Sequence, residues 1–237
     1  METPVEIQKK YYTETATNYD ALHTSDTTDS EHVFALQFLS TIINLYQIKS
    51  VLDIGAGTGR TIVYLKEKHA GLKVIGIEPI EELRKQGYAK GIDKNELIEG
   101  DGNCLTFKNG EFDLVCEFAV LHHVAKPDAM VKEMLRVAGK CIFISDSNNF
   151  GQGSKLTRLV KQLINSLGLW KAYNYIRTGG KVYQISKNDG LFYSYSVFNN
   201  YKQIKEQCKS VHALNITGKG INPYRNAAHV ALWGIKK

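Results

Sequence analysis

No apolar stretch of this chain approaches the roughly 18 residues that a membrane-crossing helix needs, so no membrane span is expected. The opening residues, METPVEIQKK, carry no apolar core of the kind a secretory signal peptide has. Cysteine is sparse, with four in 237 residues. Cys104, Cys116, Cys141 and Cys208 are scattered and form no C-x-x-C pair. At least two lie inside apolar runs, which reads as buried free thiols in a reducing compartment rather than a disulfide framework. A cytoplasmic protein is expected. Internal repeats, low-complexity tracts and linker-like stretches are missing too. One domain is therefore expected, and a hydrophobic content of 43% over this length supports a sizeable core. Charge is not strongly one-sided: a net +6 permits an anionic partner without requiring one.

What the chain does have is alternation. Lys49 to Ile54 is an apolar, β-rich run, and Arg60 to Lys68 can be a helix. Lys73 to Ile77 reads as a second strand, followed by a helical stretch from Ile80 to about Lys90. Glu96 to Glu99, Phe112 to Phe118 and Lys140 to Ser145 read as the third, fourth and fifth strands. Pro127 suits the first turn of the helix between the last two. Such alternation implies parallel strands joined by right-handed crossovers. The continuous apolar runs fit strands covered on both faces.

The flanks differ from this centre. Thr28-Asp29-Ser30-Glu31 has capping-box spacing, and Val33, Leu36, Leu39, Ile43 and Tyr46 follow at helical spacing. A tyrosine-rich segment, YYTETATNYDALH, precedes them. After the fifth strand comes a strongly amphipathic helix carrying Leu156, Leu159, Val160, Leu163, Ile164 and Leu167 on one face. An aromatic, glycine-containing stretch runs from Trp170 to Phe198. A helix over Asn199 to Lys209 and strands over Val211 to Ile216 and His229 to Ile235 close the chain.

The stretch VLDIGAGTGR, Val51 to Arg60, carries the chemistry. A strand dives into a turn with glycines at 55, 57 and 59 and opens a helix. A dinucleotide fingerprint reads G-x-G-x-x-G; this is G-x-G-x-G. Asp53 lies inside the strand, where a buried carboxylate needs a partner that an ammonium group would supply. Glu78 ends the second strand, where an acid can take both ribose hydroxyls. Asp101, in EGDGN after the third strand, can accept a hydrogen bond from an adenine amine. Three acids along one sheet edge suit a cationic nucleoside better than a pyrophosphate, which wants a helix amino-terminus and positive charge.

In order and spacing, VLDIGAGTGR, VIGIEP, EGDGN and FDLVCEFAVLHHV resemble the motifs of the class I S-adenosylmethionine-dependent methyltransferases. The type 11, ubiquinone-methyltransferase-like branch is the most similar. The resemblance covers about Lys49 to Asp146. It implies an α/β, Rossmann-like, seven-stranded and mostly parallel sheet with helices on both faces and the last strand antiparallel. The implied cofactor is S-adenosylmethionine, leaving as S-adenosylhomocysteine. By resemblance, Asp53 with Gly55, Ala56, Gly57 and Gly59 holds the methionine portion. Glu78, followed by Pro79, holds the ribose, and Asp101, Gly102 and Asn103 hold the adenine. The backbone around Glu117 and Phe118 receives the methionine amino group. Glu117 departs from the small or amide residue that relatives carry there; it either adds an acid to the site or points away.

The expected division is an amino-terminal lid and helix over 1–47 and a cofactor-binding core over 48–147. A substrate-cover insert over 148–198 follows, then a helix and strand pair over 199–237. In relatives the amino-terminal segment folds over the cofactor, which makes Tyr19 a cofactor contact and Tyr12 a substrate contact. His122 and His123 follow the fourth strand, near the expected methyl group, where a histidine can take a proton at neutral pH. Local packing is the rival reading of that pair. Asp146, Asn148 and Asn149 leave the fifth strand toward the site as candidate substrate contacts. The aromatics Trp170, Tyr173, Tyr175, Tyr183, Phe192, Tyr193 and Tyr195 are expected to line a mostly apolar pocket. Lys155, Arg158, Lys161 and Lys171 form a basic edge that reads as a solvated face.

The expected function is methyl transfer to an oxygen or nitrogen of a small molecule, by a monomer or homodimer. An RNA or protein methyltransferase using the basic surface is the alternative. Enzymes that methylate base amines tend to carry an N-P-P-Y-like tetrapeptide after the fourth strand; here that place reads EFAV, so a nucleic-acid partner is not expected. Asn222 to Tyr224, NPY, reads as a turn far downstream. The glycine spacing and Asp101 speak against a nicotinamide oxidoreductase. No cluster of histidines and acids has metal-ligand spacing along the chain, so no metal site is expected.

Overall fold

The computed structural model describes residues 2–23, 30–217 and 220–237. Thr28 and Asp29 of the expected capping box lie outside the described residues. Three helices come first: α1 (Pro4–Thr15), α2 (Tyr19–His23) and α3 (Ser30–Leu45). The central alternation is β1 (Ser50–Ile54), α4 (Arg60–Lys68), β2 (Lys73–Ile77), α5 (Glu81–Ala89), β3 (Leu97–Ile98), β4 (Phe112–Phe118), α6 (Pro127–Val137) and β5 (Ala138–Ser147). The insert holds α7 (Lys155–Ser166), α8 (Trp170–Arg177) and a hairpin of β6 (Tyr183–Ser186) and β7 (Gly190–Tyr193). Last come α9 (Tyr201–Gln207), β8 (Cys208–Asn215), α10 (Pro223–Asn226) and β9 (His229–Lys236).

The main sheet has seven strands in the order β3-β2-β1-β4-β5-β9-β8. β1 pairs in parallel with β2 and β4, and β4 with β5. β9 pairs antiparallel with both β5 and β8, so β8 runs with the first five strands and β9 alone runs against them. This is the expected α/β sheet, with its last strand inserted beside the sixth. Successive residues of β4 point to opposite faces and enter different cores. Val115 joins Leu52, Ile142 and Leu232 beneath α6 and α9. Leu114 and Cys116 join Val51, Cys141 and Phe143 beneath α3 and α4. Helices thus cover both faces, as the continuous apolar runs require. Cys116, Cys141 and Cys208 are buried free thiols, whereas Cys104 is exposed.

Two regions show features on which the sequence reading is silent. The tyrosine-rich start is helical: Thr3 and Glu6 form a reciprocal capping box and Pro4 occupies the first turn of α1. In the insert, the apolar face of α7 does not enter the core. Leu156, Leu159, Leu163 and Leu167 are all more than half exposed.

The insert is fastened to the sheet through Asn148, which has no solvent exposure. Its amide nitrogen donates to the carbonyls of Pro223, Tyr224 and Ala227 at 3.1, 2.7 and 3.0 Å. Its amide oxygen accepts from the Ser196 hydroxyl and the Phe150 N–H. One side chain therefore ties the end of β5 to α10 ahead of β9 and to the end of the insert.

Candidate active site

The loop after β1 requires glycine. Gly55, Gly57 and Gly59 all have left-handed backbones, at φ 70°, 56° and 82°. A Cβ on Gly57 would also sit 3.1 Å from the Tyr19 hydroxyl, which leans over the loop. Glu78, at the end of β2, fixes the other side. Its carboxylate accepts from the Gly57 N–H at 3.0 Å and the Ile80 N–H at 2.9 Å. Burial pushes its pKa up to about 7, against the pull of those two donors. Asp53 is also buried, and burial raises its pKa to about 7 although Thr61 and Cys116 donate to it. Two carboxyls thus stand desolvated beside the loop. Ala56, Asp53, Thr58 and Phe118 line a small hollow there, together with His32. The amino-terminal arm is tied down beside it: the Thr58 hydroxyl donates to Asp20 at 2.7 Å and the Lys90 ammonium pairs with the same carboxylate.

That hollow shares Tyr19, His32, Arg60 and Phe118 with a cavity of about 560 Å³ beneath the insert. Ala119, whose φ of 59° is unusual for a residue with a Cβ, lines the cavity at the end of β4. His122 and His123 follow on a 3-10 turn, Leu121–His123. His122 donates from Nδ1 to Asp146 at 2.7 Å, and its Nε2 faces Asp189 at 3.4 Å. Burial opposes charge on this ring, but the carboxylates of Asp146 and Asp189 outweigh it and hold its pKa at about 10. His123 is the reverse case: burial and the neighbouring His122 lower its pKa. Its Nε2 meets the Tyr12 hydroxyl at 3.0 Å, and its Nδ1 meets the Leu191 carbonyl at 2.6 Å. In the unliganded protein His122 is expected to remain an imidazolium across neutral pH. Nitrogen-detected NMR should show both its ring nitrogens protonated at pH 8, and Asp146→Asn should bring the titration down toward the ordinary histidine range.

The remaining sequence candidates divide. Tyr12, Tyr19, Phe118, Asn149 and both histidines line the cavity. Asp146 is 1% exposed and stands behind His122 rather than in the cavity. Asn148 does not face the cavity either; its polar atoms hold the clamp described above, so the expectation of a substrate contact there is corrected. Glu117 points away: its Oε2 accepts from the Val120 N–H at 2.9 Å, within the buried end of β4. Burial, then Asp146, raises its pKa. Asp101 lies at the expected sheet edge, but its carboxylate turns back on the Asn103 N–H and side-chain amide, both at 2.9 Å. Gly102 packs on Ile54 and Met130. Pro79 carries the chain from Glu78 into α5.

The pocket is less apolar than its aromatic sequence suggests. Phe192, Tyr193 and Tyr195 line it, but Ser145, Ser147, Gln184 and Asp189 do so too. Trp170 donates instead to Ser194 at 3.0 Å and packs on Phe150, while Tyr173 and Tyr175 are exposed. Lys161, from the basic edge, donates to the carbonyls of Asn149 and Gln152. Asp189 and His32 are site residues the sequence reading missed. Asp189 sits in Asn188-Asp189-Gly190, a hairpin signal at the β6–β7 turn. His32 is an unremarked position on α3; burial lowers its pKa to about 3.

Residues 52–142 match a family described as a methyltransferase domain. A norajmaline N-methyltransferase from Rauvolfia serpentina is 36% identical over 94 residues, covering 38% of this chain and 32% of that enzyme. A ubiquinone/menaquinone biosynthesis C-methyltransferase from Xanthomonas oryzae is 28% identical over 141 residues, covering 53% of this chain and 52% of that one. The chain thus spans between about a third and a half of the length of these curated relatives. Among solved structures, magnesium protoporphyrin IX methyltransferase from Synechocystis, with bound S-adenosylmethionine, superposes with a TM-score of 0.64 at 14% identity, covering 100% of this chain and 99% of that one. That likeness is one of fold.

Proposed function

We propose that this chain, a member of the class I S-adenosylmethionine-dependent methyltransferase family, transfers a methyl group to an oxygen or nitrogen of a small molecule. The observation that carries this reading is the adjacency of the two hollows: the one beside the glycine loop is lined by a buried acid, and the other opens toward His122 and His123. S-Adenosylmethionine supplies a methyl carbon activated by its sulfonium, so the acceptor's lone pair forms the new bond while the carbon–sulfur pair returns to sulfur. The chain's own task is alignment, which can contribute on the order of 7–11 kcal/mol. Asp53 and Glu78 offset positive charge in the donor with carboxylates already stripped of water, and the Gly57 backbone lets the nucleoside approach closely. Tyr19 covers the loop from the amino-terminal arm. The acceptor enters the larger cavity, where the insert closes over it and keeps out water.

The cavity volume suits a small molecule better than a polymer, whose binding would need a continuous basic surface. Lys161, fastened to three oxygens of the insert, is not available for such a surface. Among the described residues no helix is long and apolar enough to cross a membrane; the buried free thiols Cys116, Cys141 and Cys208 support a placement in the reducing cytoplasm. Calorimetry with S-adenosylhomocysteine and with NAD tests the reading. Heat with the first and none with the second is expected; the opposite result, or none with either, overturns it.

A further inference from the structure

We propose that His122, His123 and Asp189 form a binding site for a divalent transition-metal ion of the zinc and iron(II) class. The argument begins at the outer nitrogens of the two rings. His122 Nδ1 is held by Asp146 at 2.7 Å, and His123 Nδ1 by the Leu191 carbonyl at 2.6 Å. The Leu191 carbonyl and the Gln8 amide nitrogen, 3.1 Å away, both meet His123 Nδ1 and orient the ring so that Nε2 faces inward. Gln8 closes that corner, its Oε1 accepting from the Leu191 N–H. An acceptor on the far nitrogen is the arrangement that fixes tautomer and ring orientation in metal-binding histidines. Here both neighbouring histidines have one.

Both Nε2 atoms turn toward one carboxylate. Asp189 Oδ2 lies 3.4 Å from His122 Nε2, and Asp189 Oδ1 lies 3.5 Å from His123 Nε2. Those separations are long for charge-assisted hydrogen bonds, which run about 2.7–2.9 Å. The same His122 ring reaches 2.7 Å to Asp146, so it is not kept from a short bond by poor packing. The three donor atoms lie within 4.8 Å of one another. Two nitrogens and one carboxylate disfavour magnesium and calcium, which want oxygen throughout, and suit zinc or iron(II). Three protein ligands leave a coordination position open, the pattern of catalytic rather than structural sites. All three residues line the large cavity, and the Tyr12 hydroxyl borders one side at 3.0 Å from His123 Nε2.

Metal binding stands on this geometry, and at His122 the ion takes the place of the proton that Nε2 carries in the unliganded protein. Its use rests on the methyl-transfer reading: the open position takes the acceptor's oxygen or nitrogen, lowers the pKa of an attached proton and holds the lone pair toward the methyl carbon. The proton leaves to water, and neither histidine acts as a base. The ion also ties the β6–β7 turn to the end of β4, closing the cover on the core.

Cobalt(II) is the probe, because its visible ligand-field bands report coordination directly. The full-length protein, stripped with a chelator, is titrated with cobalt(II). Saturation near one ion per chain with intense four- or five-coordinate bands is expected. Asp189→Asn should lose those bands at unchanged far-UV circular dichroism. A weak, six-coordinate aqua-like spectrum, or bands that persist in Asp189→Asn, overturns the site. Calorimetry with S-adenosylhomocysteine on the same stripped protein separates the two ideas. Nucleoside heat without cobalt bands sinks the metal site alone, and cobalt bands without nucleoside heat support the metal site while sinking methyl transfer.

Discussion

Asp53→Asn is expected to abolish measurable binding of S-adenosylhomocysteine while making the unliganded protein more stable at pH 8. Both effects have one origin. Asp53 is 2% exposed, and burial raises its pKa from 3.8 to about 7. A carboxyl whose folded pKa lies above its unfolded one binds its proton more tightly when folded. Its contribution to stability is therefore complete below about pH 4 and is lost as pH rises through about 7. At pH 8 the folded protein carries a desolvated anion, at a cost on the order of 2–4 kcal/mol. Asparagine keeps the shape and removes that cost, so the melting temperature at pH 8 should rise and the difference should vanish near pH 4. The ligand's ammonium offsets the same charge in the wild type. Binding should accordingly strengthen as pH increases toward 8, and asparagine should flatten that dependence. Unchanged nucleoside affinity in Asp53→Asn would remove this carboxylate from the site. Glu78 is raised to about 7 for the same reason, but two backbone donors need both its oxygens, so Glu78→Gln should lose stability as well as affinity.

The parts that sequence made legible are those governed by local rules. Parallel strands buried on both faces read as apolar runs, and Val51, Leu114 and Phe143 lie in the core where those runs put them. The left-handed backbone at Gly55, Gly57 and Gly59 is equally local. Asp53 and Glu78 were legible because strand ends share one edge in a parallel sheet. Other local signals were present but not taken up. Thr3 and Glu6 already spell the capping box of α1, and Asn188-Asp189-Gly190 already spells a hairpin turn. What the turn does could not be read so. Asp189 meets His122 and His123 only because the insert folds back across the end of β4, a long-range contact with no period or spacing behind it. Asn148 misled for the opposite reason. A polar residue leaving a strand toward a site looks like a contact for substrate, and its burial against three distant carbonyls appears only in three dimensions.

That same clamp sets the other large effect: Gly151→Ala is expected to destabilise the protein by about 3 kcal/mol or more. Gly151 lies in the turn Asn149–Gly151, directly against the end of α10. An added Cβ would overlap the Ala227 carbonyl oxygen and would meet the Asn148 amide nitrogen at 2.8 Å. The first partner is backbone and has no rotamer to change. The turn must therefore lift, and the Asn148 amide must release the carbonyls of Pro223, Tyr224 and Ala227. For a chain of this size each kcal/mol moves the melting temperature by about 2–4 °C, so a fall of roughly 10 °C is expected. The damage should be directional. Limited proteolysis should begin within 152–196, since the clamp holds the insert from one end while the cofactor loop is anchored independently by Glu78. The KM for the acceptor should then rise more than the KM for S-adenosylmethionine, because the acceptor alone depends on where the cover sits. A Gly151→Ala protein that melts with the wild type, or that loses both affinities together, would mean that the insert is positioned by something other than Asn148 and the turn beside it.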